Sequence, residues 1–170
     1  VPELLREKID GEFAQVDALI IDLRGRGGSA TEVVRIVALV REYIAKSGKP
    51  VVALVDRQSR SGKDILAYEF KESGVRLVGE ASAGAVIPAM FGDVGYDSVL
   101  MFPTFRLPGY SDKLELKPVE PHVIVDRPGM FSAGRDPILE AGVREAGRLI
   151  GSRQSPIGNN QQSPIVNRQF

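Results

Sequence analysis

Apolar residues along the 170-residue chain fall into short solid runs alternating with spaced repeats, the pattern of buried strands separated by amphipathic helices. Leu4, Leu5, Ile9 and Phe13 recur at helical spacing and predict a helix over 3–14. Asp17-Ala18-Leu19-Ile20-Ile21-Asp22-Leu23 predicts a buried strand, ended by Gly25, Gly27 and Gly28. Ser29-Ala30-Thr31-Glu32 then has the form of a capping box. The helix it opens has Val33, Ile36, Val37, Val40 and Ile44 on one face and stops at Gly48 and Pro50. Val51 to Val55 is a second strand, and Ser61-Gly62-Lys63-Asp64 a second capping box before a helix through Ile65, Leu66 and Phe70 to Gly74. Val75 to Val78 is a third strand.

Strands joined by crossovers of about a dozen or more residues must lie parallel, so the fold class is α/β with a mostly parallel sheet. From Gly84 the texture changes to short strand-like pieces at Val86 to Phe91, Ser98 to Phe102, Lys113 to Leu116 and Val123 to Val125. Asp136-Pro137-Ile138-Leu139 starts a closing helix to about Ile150, with Pro at the first-turn position it tolerates. Residues 1–150 are therefore expected to form one domain. Residues 151–170, rich in Ser, Gln, Asn and Pro with Gln-Ser-Pro-Ile occurring twice, are expected to be a mobile polar tail.

Composition narrows the chemistry. Lys and Arg total 22 against 22 Asp and Glu, which gives no electrostatic footprint for nucleic acid or an anionic membrane. No cysteine and one histidine, His122, exclude thiol nucleophiles, Cys-ligated metals and multi-His metal sites built from this chain, and no cofactor is expected. No apolar run reaches the roughly 18 residues of a membrane span. The chain starts at Val1, without Met, inside a predicted helix, and is expected to be a piece of something longer.

Two loops after strand ends can carry chemistry, because ligands of parallel sheets sit there. In Arg24-Gly25-Arg26-Gly27-Gly28-Ser29, glycines let backbone N–H groups converge at a helix N-terminus on an anion or an oxyanion. Gly25 to Ala30 also satisfies the G-x-G-x-x-A dinucleotide fingerprint, with Asp56 placed as a ribose-binding acid, and a tight turn before a capped helix explains the same residues. In the second loop Ser61 reads equally as an N-cap, with Asp64 completing the box, and as a nucleophile presented at a strand-to-helix turn.

Four blocks resemble the S41, or tail-specific (C-terminal processing), serine peptidases of the ClpP/crotonase-like superfold. Asp17 through Gly28 is similar to the family's IIDLRxNxGG strand and loop, and Val51 through Leu66 to its nucleophile block, with Ser61 on the catalytic serine and Asp64 on the following acidic position. Leu77 to Gly84 resembles LVGExTxG, and Glu115 to His122 resembles ExxGVxPD; the Asp136 helix is similar to the closing DxxLxxA. The resemblance implies an acyl-enzyme on Ser61, with the N–H groups of Gly62 and of Gly28, or of Gly27, holding the oxyanion. It implies a peptide or unfolded protein as substrate, and an exported bacterial protein, periplasmic or extracellular.

The departures bear on mechanism. Ala85 stands where the Ser/Lys branch has its lysine, and Lys63, two positions along a helix, points away from Ser61. The tricorn-like Ser/His branch takes its histidine from an N-terminal segment and orients it with a carboxylate that Glu115 matches. His122 is expected to be structural, so the base is expected from outside this chain, from an N-terminal segment or a second copy in a homo-oligomer. Three functions follow: a serine peptidase core lacking its base, a catalytically inactive S41-like peptide-binding or assembly module, and a nucleotide-binding α/β domain.

Overall fold

The computed structural model describes residues 2–126 and 133–154. Its centre is β2 (Val51–Val55), every residue of which is buried. β1 (Leu19–Asp22) pairs with it on one side and β3 (Arg76–Gly79) on the other, both parallel, with Ile21 opposite Ala53 and Ala53 opposite Leu77. β6 (Val123–Ile124) adds to β3, giving a four-stranded parallel sheet in the order β1-β2-β3-β6. This is the α/β, ClpP/crotonase-like arrangement expected.

Alternation along β2 sorts its side chains onto two faces. Val51, Ala53 and Val55 pack in the larger core with α1 (Pro2–Asp10), α2 (Ala30–Ser47) and α3 (Gly62–Glu72). Val52 and Leu54 point to the other side, against Ile138, Ala141 and Ala146 of α5 (Pro137–Gln154). Helix and strand approach closely there: a Cβ on Gly142 would lie 2.5 Å from Leu54 Cδ2. On α2, Val33, Val37 and Val40 are buried as the spacing predicts, and Gly48 ends the helix at φ 65°, donating to the Ile44 carbonyl.

Several boundaries differ from the predicted ones. The first helix stops at Asp10, and Glu12–Ala14 forms a 3₁₀ turn after Gly11; Leu4 is exposed while Ile9 is buried. The strand predicted from Val86 starts instead at Ala89, because the Val86 and Ile87 N–H groups are taken by the Glu115 carboxylate. Lys113 to Leu116 is not a strand. Ser111 Oγ accepts the Leu107 N–H and starts a single helical turn, α4 (Ser111–Leu114), after which Leu116 takes a positive φ. α5 runs on to Gln154, which removes residues 151–154 from the predicted tail; the remainder, 155–170, lies outside the described residues.

β4 (Ala89–Gly95) and β5 (Ser98–Pro103) form a separate antiparallel hairpin. Apolar side chains line both its faces: cross-strand neighbours Met90 and Phe102 share one, Phe91 and Met101 the other, and all four are exposed.

α5 is fastened to the sheet by charge as well as by packing. Glu145, buried on α5, accepts from Arg76 of β3 at 2.9 Å and from Arg148 at 2.7 Å. Arg148, against the opposing effect of burial, and then Arg76 hold the Glu145 carboxyl down to about 2. A depressed carboxyl contributes stability that is present above the unfolded value of 4.5 and lost as pH falls from there toward 2. Glu145→Gln is expected to cost about 1–2 kcal/mol at neutral pH, because both guanidinium partners keep access to water. Urea unfolding at pH 7 and at pH 3 checks this: the difference between wild type and variant should shrink at the lower pH.

Candidate active site

Two turns leave the same end of the sheet, one after β1 and one after β2, and side chains lock them together. Asp56 Oδ1 accepts the Gly25 N–H at 3.0 Å and the Gln58 N–H at 3.1 Å. Ser59, fully buried, donates to the Leu23 carbonyl at 2.9 Å. Lys63 Nζ reaches back from α3 to the carbonyls of Arg24 at 2.6 Å and Gly25 at 3.3 Å. Arg24 in turn bridges Asp22 and Asp136, tying the first turn to the start of α5. Asp56 is thus committed to shaping the glycine turn, which accounts for it without a ribose.

Between these turns the backbones touch. A Cβ on Gly28 (φ 127°) would lie 2.9 Å from Lys63 N, and one on Gly62 would lie 2.9 Å from the Gly28 carbonyl carbon. Side chains at either position would force the loops apart. Among the described residues neither the Gly28 nor the Gly62 N–H has an acceptor, and Gly62 opens α3, where the helix dipole favours negative charge. Gly27 has open space around its Cβ position and stands apart from this contact.

Ser61 sits at φ 59° and ψ −126°, a conformation that costs a non-glycine residue about 1–3 kcal/mol. It makes no side-chain cap to α3. The predicted capping box is therefore absent, because an N-cap residue takes an extended backbone and Ser61 does not. Ser61 donates its N–H to the Ala85 carbonyl at 2.8 Å. Asp64, the other half of the predicted box, is fully buried, and its two oxygens accept the N–H groups of Gly84 and Ala85, each at 3.0 Å. The box before α2 is absent too: Ser29 makes no cap, and its hydroxyl lies 2.7 Å from that of Thr31.

Glu115 holds the segment that follows Ala85. Its Oε2 accepts the Val86 N–H at 2.8 Å and the Ile87 N–H at 2.9 Å, while among the described residues no donor reaches Oε1. Two carboxylates therefore grip residues 84–87 beside Ser61. The structure brings Ser61, Gly62, Gly28 and this segment together and links Glu115 to them through it.

His122 is employed elsewhere. Its N–H donates to the Leu77 carbonyl and its Nδ1 accepts the Leu77 N–H, both at 2.9 Å, on the β6 side of β3 and level with Ala53, whereas Ser61 lies beyond the end of β2. Burial, and then Arg76 and Lys71, lower its pKa, as an acceptor nitrogen requires. The roles of Lys63, Arg24 and Ser59 as loop clamps had no legible signal, since each depends on long-range contacts to backbone or to a distant acid.

Two outcomes are expected. Gly62→Ala should lower stability by about 1–3 kcal/mol in urea unfolding, since the loops cannot close around a methyl group. A depressed histidine contributes stability that is present above its unfolded value of 6.5 and lost as pH falls below it. His122→Asn, whose Oδ1 can accept the Leu77 N–H, should flatten the fall in melting temperature between about pH 7 and pH 5.

Known proteins agree with this geometry at the level of fold. The tricorn protease aligns at a TM-score of 0.56 and 16% identity over 91% of this chain and 19% of its own. The photosystem II D1 C-terminal processing protease aligns at 0.55 and 19% identity over 86% of this chain and 44% of its own. A lipoprotein from Streptococcus agalactiae aligns at 0.51 and 15% identity over 90% of this chain and 62% of its own. The chain thus spans less than two thirds of each. No curated protein sequence matches it. The sequence model of peptidase family S41 matches residues 41–125, half of the chain, and takes in Ser61, Asp64, Ala85 and Glu115. The chain belongs to peptidase family S41.

Proposed function

We propose that the chain is the core of a serine peptidase, with Ser61 as nucleophile and the Gly28 and Gly62 N–H groups as its oxyanion hole. One observation carries the reading: a serine held at positive φ next to two glycines whose backbones touch and whose N–H groups have no acceptor among the described residues. Ser61 Oγ attacks the peptide carbonyl, the carbonyl oxygen takes the developing charge between the two glycine amides, and the amine leaves with an acyl group remaining on Ser61. Water then releases the acyl group. Each oxyanion donor contributes about 3 kcal/mol to such a step.

The general base comes from outside these residues. Lys63 is bound to two carbonyls, His122 to Leu77, and position 85 is alanine. A histidine supplied by an N-terminal segment or a second copy, as in the Ser/His branch, fits a site in which Glu115 Oε1 stands ready to orient it. An extended peptide or unfolded protein is the substrate. A second reading, an inactive S41-like peptide-binding module, is favoured by the same occupied Lys63 and His122; it keeps the cleft and forgoes the chemistry.

Labelling by a fluorophosphonate separates them. In the full-length protein Ser61 should be labelled and Ser61→Ala should abolish both labelling and hydrolysis, whereas the binding module predicts peptide affinity without labelling. The 170-residue chain alone should hydrolyse peptides several orders of magnitude more slowly, since a hydroxyl without a base retains only oxyanion and binding effects. Adding the upstream sequence should restore activity, with a pH profile rising through the histidine range. His122→Gln should change little.

A further inference from the structure

We infer that Asp64 is a positioning residue for Ser61, acting through the main chain of Gly84 and Ala85. The inference rests on Ser61 being the nucleophile. Asp64 is wholly withdrawn from solvent in the first turn of α3, three residues after Ser61. Both its oxygens are used on one short stretch, the N–H groups of Gly84 and Ala85 at 3.0 Å each. The carbonyl of that same Ala85 accepts the Ser61 N–H at 2.8 Å. A closed circuit results: Ser61, the first turn of α3, the Asp64 carboxylate, the Ala85 N–H and through its Cα the Ala85 carbonyl, and Ser61 again.

That circuit explains how a serine stays at φ 59°. A strained residue persists only where its surroundings over-determine it. The Ala85 carbonyl fixes the Ser61 amide, and the Asp64 carboxylate fixes Ala85. Surrounding contacts leave the stretch little slack: the Ser59 carbonyl accepts the Ala83 N–H, the Leu116 N–H donates to the Gly84 carbonyl, and a Cβ on Gly84 would lie 2.8 Å from Pro118 N. Glu115 accepts the Val86 and Ile87 N–H groups, and the Val86 N–H belongs to the same peptide unit as the Ala85 carbonyl, so that carbonyl is steadied by Glu115 on one side while Asp64 holds the Ala85 N–H on the other.

Asp64→Asn isolates the role. Two backbone donors face two carboxylate oxygens, so an amide must turn its NH₂ toward one of them, donor against donor, in a buried place. In the full-length protein this variant should lose about 10- to 100-fold in kcat with KM changed less than about twofold, the range produced by a misplaced reacting group. Hydrogen exchange at the Ser61 amide should quicken, while amides of β1–β3 stay protected. Glu145→Gln, which weakens the fold away from the site, should leave kcat unchanged and so removes general destabilisation as the cause. A folded Asp64→Asn with normal kcat and normal Ser61 protection overturns the inference. Undiminished hydrolysis by Ser61→Ala instead overturns the nucleophile assignment while leaving the exchange result to stand. Should Asp64→Asn fail to fold, exchange in the wild type decides: joint protection of Ser61, Gly84 and Ala85 supports the circuit, and a freely exchanging Ser61 amide refutes it.

Discussion

Backbone touching backbone between Gly28 and Gly62 is the constraint on which the site depends. A single methyl group at either glycine would come within 2.9 Å of main-chain atoms, so the two turns close only because neither carries a side chain. Everything around them serves that closure. Asp56 and Ser59 bind the first turn to the second, Lys63 draws two of its carbonyls inward, and Arg24 anchors its root to Asp22 and Asp136. With their carbonyls and side chains so occupied, the turns leave the Gly28 and Gly62 N–H groups without an acceptor among the described residues.

Rigid turns need a rigid floor, and β2 supplies it. Buried on both faces, it fixes where Val55 ends and hence where both Asp56 and Ser61 begin. The large core under α1, α2 and α3 sets one side of that floor and the smaller cluster under α5 the other. Packing of this density transmits a displacement rather than absorbing it, so a change at Leu54 or Gly142 has a path to the site through the strand itself.

Solid apolar runs made β1, β2 and β3 legible, most plainly at β2, which is buried on both faces and so leaves no alternative period to confuse it. Family motifs added Ser61 and the glycines. Capping was misread, for a physical reason: an acid three residues after a serine at a helix start is the same string whether the serine caps the helix or stands off it at positive φ. Only the backbone angle separates the two, and that angle is fixed by Ala85, some two dozen residues away. Lys113 to Leu116 failed likewise, because Ser111 Oγ spends its acceptor capacity on Leu107 and turns the chain helical where the alternation pattern reads strand. Contacts of this length are written in no local pattern.

Position 61 also places folding and chemistry in opposition. Glycine has no Cβ to clash at φ 59° and ψ −126°, so a chain selected for stability alone would drift to glycine there, gaining about 1–3 kcal/mol. A domain whose whole margin is about 5–15 kcal/mol does not carry such a penalty idly. The hydroxyl, which glycine lacks, is the group the proposed chemistry uses. Stability selection and the retained side chain thus pull opposite ways at one residue, and the thermostabilising substitution a protein engineer would choose first is the one that deletes the candidate nucleophile.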